Sequence, residues 1–147
     1  MEPTPEDLTL FAQKRAWYER NATPENRERI EREFAARRAY VHLPIHGEIL
    51  EGFDAGRLEI GENTHFEPHC WLTLDLEKAN IRIGANCFLN VGVMLAAQDE
   101  ITIGDWTMLA NGCFVGDAAH RFSDPACNLT GSEAGKPASF VALRLTL

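Results

Sequence analysis

Along the middle of the chain an apolar residue returns every sixth position, in three successive groups of three. The groups are Ile60, Phe66 and Leu72; Ile83, Leu89 and Leu95; and Ile103, Leu109 and Val115. Four places after most of these stands a small or slim residue: Thr64, Cys70, Cys87, Val93, Thr107, Cys113 and Ala119. An amphipathic helix repeats about every 3.6 residues and a half-buried strand about every 2, so neither produces this beat. A six-residue beat predicts a solenoid in which each short strand buries one bulky and one slim side chain before the chain turns a corner. The predicted fold is therefore an all-β, left-handed parallel β-helix of hexapeptide repeats. Its hand is an exception to the right-handed crossover rule and is taken from the hexapeptide pattern.

Each group would form one triangular coil of about 18 residues. The intervals from Ile60 to Ile83 and from Ile83 to Ile103 exceed that by five and two residues. Both excesses fall after a third hexapeptide, near Asp75–Ala79 and Ala97–Glu100, where a corner can bulge without disturbing stacked strands. Gly61, Gly84 and Gly104 follow the first isoleucine of each group, which suggests corner positions with positive φ.

The pattern changes before residue 46. Thr4-Pro5 and Thr23-Pro24 each place a capping residue ahead of a proline suited to the first helical turn. They predict helices from about Pro5 to Arg20 and from about Pro24 to Arg38. Glu28/Arg32, Arg29/Glu33 and Glu33/Arg37 are spaced as i,i+4 ion pairs, and Arg37-Arg38 would suit a helix C-terminus. Leu8, Phe11 and Tyr18, then Ile30 and Phe34, form apolar stripes for packing on the body or on a neighbouring subunit. Tyr40 to Glu51 reads as a link into an irregular first coil, with Pro44 and Gly47 marking turns. Three regions result: a helical segment and linker over 1–45, coils over 46–120, and a loop with a strand-like tail over 121–147. In that tail Val141, Leu143, Leu145 and Leu147 alternate with more polar or smaller residues.

A net charge of −8 and the absence of a long basic run argue against a nucleic-acid partner. No apolar run approaches the roughly 20 residues of a membrane span, and the acidic N-terminus lacks a signal-peptide layout. The expectation is a cytoplasmic protein, in which the Asn21-Ala22-Thr23 sequon has no glycosylation role. The four cysteines include no C-x-x-C pair, so a zinc site is not expected. Cys70, Cys87 and Cys113 occupy slim inward slots and read as small hydrophobes; Cys127 lies outside the repeat. Among five histidines, His65 and His69 read as solvent-facing beside Glu62 and Glu67, and His42 and His46 lie in the linker. His120 stands where the third coil gives way to a long loop, a common place for functional groups on a rigid scaffold.

From Ile83 to Pro125 the chain resembles the hexapeptide-repeat acyltransferases, in particular the maltose/galactoside/nodulation-type sugar O-acetyltransferases and the related xenobiotic acetyltransferases. The family pattern I-G-x-N-x-x-x-N, a second I-G and a histidine loop matches Ile83, Gly84, Asn86, Asn90, Ile103, Gly104 and His120. The Asn90-to-His120 interval and the helical segment ahead of the coils are also similar to that family. The resemblance implies that His120 acts as general base, removing a proton from an acceptor hydroxyl or amine. The acceptor then attacks the thioester carbonyl of acetyl-CoA, or another acyl-CoA, while a backbone N–H steadies the oxyanion. Asn90 and Asp124 would bind the acceptor, possibilities that include a sugar. The resemblance further implies a homotrimer, acyl-CoA as co-substrate rather than a permanently bound cofactor, and no metal.

Departures from the pattern accompany the match. Gly92, Ala97 and Gln98 replace polar positions of the family, Arg121 replaces proline after the histidine, and Asp124 lies four places beyond His120 rather than three. No further I-G pair follows Ile103-Gly104, so the chain reads as a C-terminally shortened relative. Two other readings remain open: a non-catalytic β-helical scaffold or inactive relative, and a metalloenzyme of the γ-carbonic anhydrase type, which needs three converging histidines.

Overall fold

All nine residues of the six-residue beat are buried, from zero exposure at Phe66, Leu72, Leu89 and Leu95 to 7% at Ile60. They line the interior of a parallel β-solenoid in the computed structural model, which describes residues 1–117. The chain begins with helices α1 (Pro5–Glu19) and α2 (Pro24–Ala36), joined by a 3-10 turn at Arg20–Ala22. A first coil follows, made of β1 (Tyr40–Val41), β2 (Ile45–Gly47) and a short helix α3 (Ile49–Asp54). The next coil contains β3 (Leu58–Ile60), β4 (His65–Phe66) and β5 (Cys70–Leu74). Above it lie β6 (Asn80–Ile83), β7 (Phe88–Leu89) and β8 (Met94–Ala97), then β9 (Glu100–Ile103), β10 (Met108–Leu109) and β11 (Phe114–Gly116).

Three parallel sheets form the walls: β1-β4-β7-β10, β2-β5-β8-β11 and β3-β6-β9. Register stacks like on like, pairing Phe66 with Leu89, Leu72 with Leu95, and Ile60 with Ile83. The slim slots behave as expected: Thr64, Cys70, Cys87, Val93 and Thr107 are buried and Cys113 is half-buried. Residues 75–79 and 98–99 bulge at the edge between the second and third sheets, where the interval lengths placed them.

Two sequence expectations are corrected. Tyr40 to Glu51 is not a link ahead of the irregular first coil but part of that coil, because β1 and β2 pair in register with β4 and β5 and found the first two sheets. Only the third wall lacks a strand in this coil, and α3 takes its place. Nor do the glycines after isoleucine supply positive φ. Asn63, Asn86 and Trp106 adopt the left-handed backbone at the corners leading into β4, β7 and β10, with φ of 56, 57 and 62°. Gly61 is required for a different reason. A Cβ there would meet the Gly84 carbonyl carbon and the Ala85 nitrogen of the next coil at 2.5 Å. Close stacking of corners, rather than a special dihedral, excludes a side chain.

The helical segment closes the N-terminal end of the solenoid. Ile30 and Phe34 of α2 are buried, as their stripe predicts, and Phe34 meets Phe53 and Phe66 edge-on at 5.7 and 5.3 Å. Glu33 and Arg37 pair at 2.6 Å as their spacing suggests, whereas Arg29 pairs with Asp54 of α3 instead of Glu33. The helices end slightly earlier than expected, since Arg20 enters the 3-10 turn and Arg38 is left-handed with φ of 56°. On α1, Leu8 and Phe11 remain exposed, and the C-terminal end touches the body through Trp17 and Tyr18.

Asn21 covers the open edge of the second sheet. Its buried Nδ2 donates to the carbonyls of Ile45 and Gly47 at 3.2 and 3.0 Å, satisfying acceptors that an edge strand would otherwise leave unpaired. The same bonds occupy the amide that a glycan would need. Asn21→Ala is expected to cost about 1–3 kcal/mol, because both carbonyls lose their donor in a buried place. Urea denaturation of the two proteins measures it, and a loss below about 0.5 kcal/mol would contradict the edge-capping role.

Candidate functional site

Side chains that point outward from the walls divide the solenoid into unlike faces. On the first sheet Tyr40, His65, Phe88 and Met108 occupy consecutive register positions, forming one column. On the second sheet the column is His46, Trp71, Met94 and Phe114. The third sheet presents Glu59, Arg82 and Thr102, with Arg82 3.5 Å from Glu59 and 3.6 Å from Glu100. Two adjacent faces are thus apolar or aromatic and one is charged. Tyr40, Met108 and Phe114 are each more than half exposed.

Asn90 stands at the corner between the two apolar faces, just beyond β7. Its backbone N–H donates to the Leu109 carbonyl of the coil above at 3.0 Å, and its carbonyl accepts from the Val93 N–H and the Cys70 thiol. The side-chain Oδ1 accepts from the Val91 N–H at 2.8 Å. Of a carboxamide's two ends only the oxygen accepts, so this bond fixes which end is which. Nδ2 has no acceptor among the described residues, which leaves two oriented N–H donors at a half-buried corner. One coil below, Glu67 donates its backbone N–H to Leu89, and one coil lower still His42 donates to Phe66. Continuing the ladder register by one residue sets His42, Glu67 and Asn90 in a polar column along this edge. No side-chain hydrogen bond links the three among the described residues. The column offers an imidazole, a carboxylate and a carboxamide donor between two apolar walls.

His120 and Asp124 lie outside the described residues, as do Ala119, Cys127, Arg121 and the tail from Phe140. Asn90 is therefore the one sequence-derived site residue with a described position. The sequence reading assigned nothing to His42 and treated Glu67 only as a neighbour of solvent-facing histidines. The available signal was their separation from Asn90 by roughly one and two coil lengths, which in a solenoid means vertical neighbours.

A second cluster joins residues that the sequence reading left apart. His46 Nε2 and His69 Nδ1 are 3.2 Å apart across neighbouring coils. Their rings are within 15° of coplanar, with centroids 5.5 Å apart, so they meet end on. A lone pair of one nitrogen then faces the proton of the other, and the two do not converge on a shared ion. His46 also stacks on Trp71 at 4.4 Å, and Trp71 receives Trp17 and the edge of Tyr18 from α1. Burial, and secondly the charge of His69, hold His46 below its ordinary range. His65 is likewise not merely solvent-facing: it stacks on Tyr40 at 4.4 Å.

Other polar groups serve the walls. Asp117 is buried and accepts from the backbone N–H groups of Gln98, Asp99 and Glu100, each at 2.7 Å, fastening the corner before β9. Burial pushes the Cys70 thiol up to about 11, so it remains protonated and inert at neutral pH. Among the described residues no three His, Cys, Asp or Glu side chains gather as a metal site. None of the described helices is long and apolar enough to cross a membrane.

Comparison with known proteins gave no matching family model, curated protein or solved structure.

Proposed function

We propose that this chain is an acyl-CoA-dependent acyltransferase, moving an acetyl or other acyl group to a hydroxyl or amine of a small acceptor. The observation that carries the reading is Asn90: a carboxamide oriented by its own corner, its Nδ2 without an acceptor among the described residues, on the edge of a hexapeptide-type solenoid. Such a donor suits an acceptor oxygen. His120, thirty residues further on, is the general base of this reading, and Asp124 a further acceptor ligand. The acceptor attacks the thioester carbonyl, its proton passes to the imidazole, and CoA leaves as the thiol or thiolate. No metal enters the scheme.

The two apolar columns support a homotrimer. Each column repeats once per coil, and strands in a sheet lie about 4.8 Å apart, so the column of one copy has the pitch to mesh with that of another. Packing the first sheet of one copy against the second sheet of the next uses the first column and the upper part of the second, Met94 and Phe114, beyond the Trp71 on which α1 rests, and leaves the charged sheet in water. Three such heterologous contacts can close a ring. The edge carrying Asn90 then lies beside the subunit boundary. A soluble, cytoplasmic setting accords with this scheme.

Calorimetric titration with acetyl-CoA tests the reading on the wild type and on His120→Ala. Micromolar binding by both proteins is expected, because the substitution removes the base and not the nucleotide contacts. Acceptors are then screened by thiol release, and Asn90→Ala is expected to raise the acceptor KM about tenfold through loss of one hydrogen bond. Failure of a folded oligomer to bind acetyl-CoA would overturn the enzyme reading in favour of a β-helical scaffold. Sedimentation of a monomer at micromolar concentration would overturn the trimer.

A further inference from the structure

Among the described residues, little attaches the first helix to the body. Every residue of α1 is exposed, and its ring contacts with the solenoid run from Trp17 and Tyr18 to the single indole of Trp71. Trp71 is itself held on its other side by the His46 ring, and His46 is held by His69. A chain of four contacts therefore leads from an exposed imidazole to the docking of a helix.

The chemistry of that chain depends on protons. With both imidazoles neutral, one N–H donates to the other ring's lone pair. With one proton added, the bond becomes charge-assisted and shorter-range attraction grows. With two protons added, both facing nitrogens carry hydrogen, the bond is lost and like charges meet end on. We propose that the His46–His69 pair is an acid-sensitive clasp on the N-terminal helix: closed, it seats Trp71 beneath Trp17 and Tyr18, and it opens when both rings are protonated.

The surroundings do not neutralise the second charge. From α1 and the turn after it come Tyr18 and Arg20; Arg20 lies over Trp17 and bonds Glu48 at 2.8 Å. Just beyond β2, Glu48 is already committed to Arg20 and to the Leu74 N–H. From β5 comes Trp71, and the corner before it, which carries His69, also carries Glu67. Neither ring has a carboxylate within ion-pair distance among the described residues. The direction of the effect follows. The docked state holds His46 below its ordinary value, first by burial and then by His69, so it binds fewer protons than the released state. Docking is complete above about pH 6.5, the ordinary imidazole value, and weakens as pH falls through the lower value of the clasp.

The test reads indole accessibility. Trp106 is replaced by phenylalanine, because that exposed ring on another corner would mask Trp17 and Trp71. Acrylamide quenching of the Trp106→Phe chain is followed from pH 8 to pH 5, together with far-UV circular dichroism. Accessibility is preferred to intensity because a protonated imidazole quenches an adjacent indole directly. The expected result is an approximately twofold rise in the quenching constant, centred below about pH 6.5, with the far-UV spectrum unchanged. His46→Gln and His69→Asn should each abolish the pH dependence. Asparagine is chosen at 69 because it tolerates the left-handed backbone there, φ 65°. A flat response in the Trp106→Phe chain, a transition that survives in both histidine variants, or one that coincides with loss of far-UV signal would each overturn the clasp.

Discussion

Gly47→Ala is expected to remove about 4 kcal/mol or more, enough to unfold the first coil in an otherwise folded preparation. Two independent effects meet at this position. Its φ is +95°, a region that residues with a Cβ rarely enter. The added Cβ would also fall inside the van der Waals shell of the Leu72 carbonyl oxygen and lie 2.6 Å from its carbon. Neither partner can move cheaply. The Leu72 carbonyl accepts the Glu48 N–H at 2.9 Å, while the Gly47 carbonyl accepts from Asn21 at 3.0 Å. Shifting the backbone would therefore break the turn from β2 into α3 and the cap on the sheet edge together. Gly56→Ala is the matching control, since φ is +68° there but nothing lies within 4 Å of the added carbon. It should cost only the dihedral term, about 1–2 kcal/mol. Thermal melts of the three proteins decide the matter. Equal losses at the two glycines would mean that the close approach to Leu72 contributes nothing.

The comparison between those glycines also shows what was legible in the sequence. The beat from Ile60 to Val115 specified the coils because in a solenoid one buried residue per strand is enough to set register, and register sets everything stacked above it. The Ile30/Phe34 stripe likewise announced a helix face that packs on the body. The first coil was not legible. Its inward residues Val41, Ile45 and Ile49 follow no Ile-Gly marker, and α3 replaces a strand there, so the six-residue count breaks down. The glycines after isoleucine were visible but their reason was not: a one-dimensional pattern marks a corner without revealing whether a dihedral or a neighbouring coil demands glycine. The candidate site was partly legible. Asn90 stood out by its interval to His120, whereas the His42–Glu67–Asn90 edge and the His46–His69 pair join residues 23 to 48 positions apart. Such neighbours follow from coil length, which the insertions make irregular and which only the observed register settles.

The closing of the N-terminal end gives the second large expectation. Phe34→Ala should destabilise the chain by about 3–5 kcal/mol, the range for deleting a buried aromatic side chain. A solenoid stacks apolar layers, and its terminal layer must be covered by something other than another coil. Here the cover is the Phe34 ring, 1% exposed and set edge-on against Phe66 of the second coil and Phe53 of α3. Removing it opens a void bounded by two aromatic rings whose own supports lie on different elements. Phe53 is further fixed from outside by the Arg37 guanidinium, 4.0 Å from its centroid, so it cannot simply swing in to fill the space. Phe34→Leu keeps an apolar cover and should lose about 1.5 kcal/mol or less. Urea unfolding distinguishes the outcomes, read alongside hydrogen exchange over β1, β2 and α3. If α2 caps the stack, exchange in those elements rises in the alanine variant before that of β6 to β8. Loss of protection spread evenly over all coils would instead show that the solenoid unfolds as a single cooperative unit, with Phe34 one core residue among the rest.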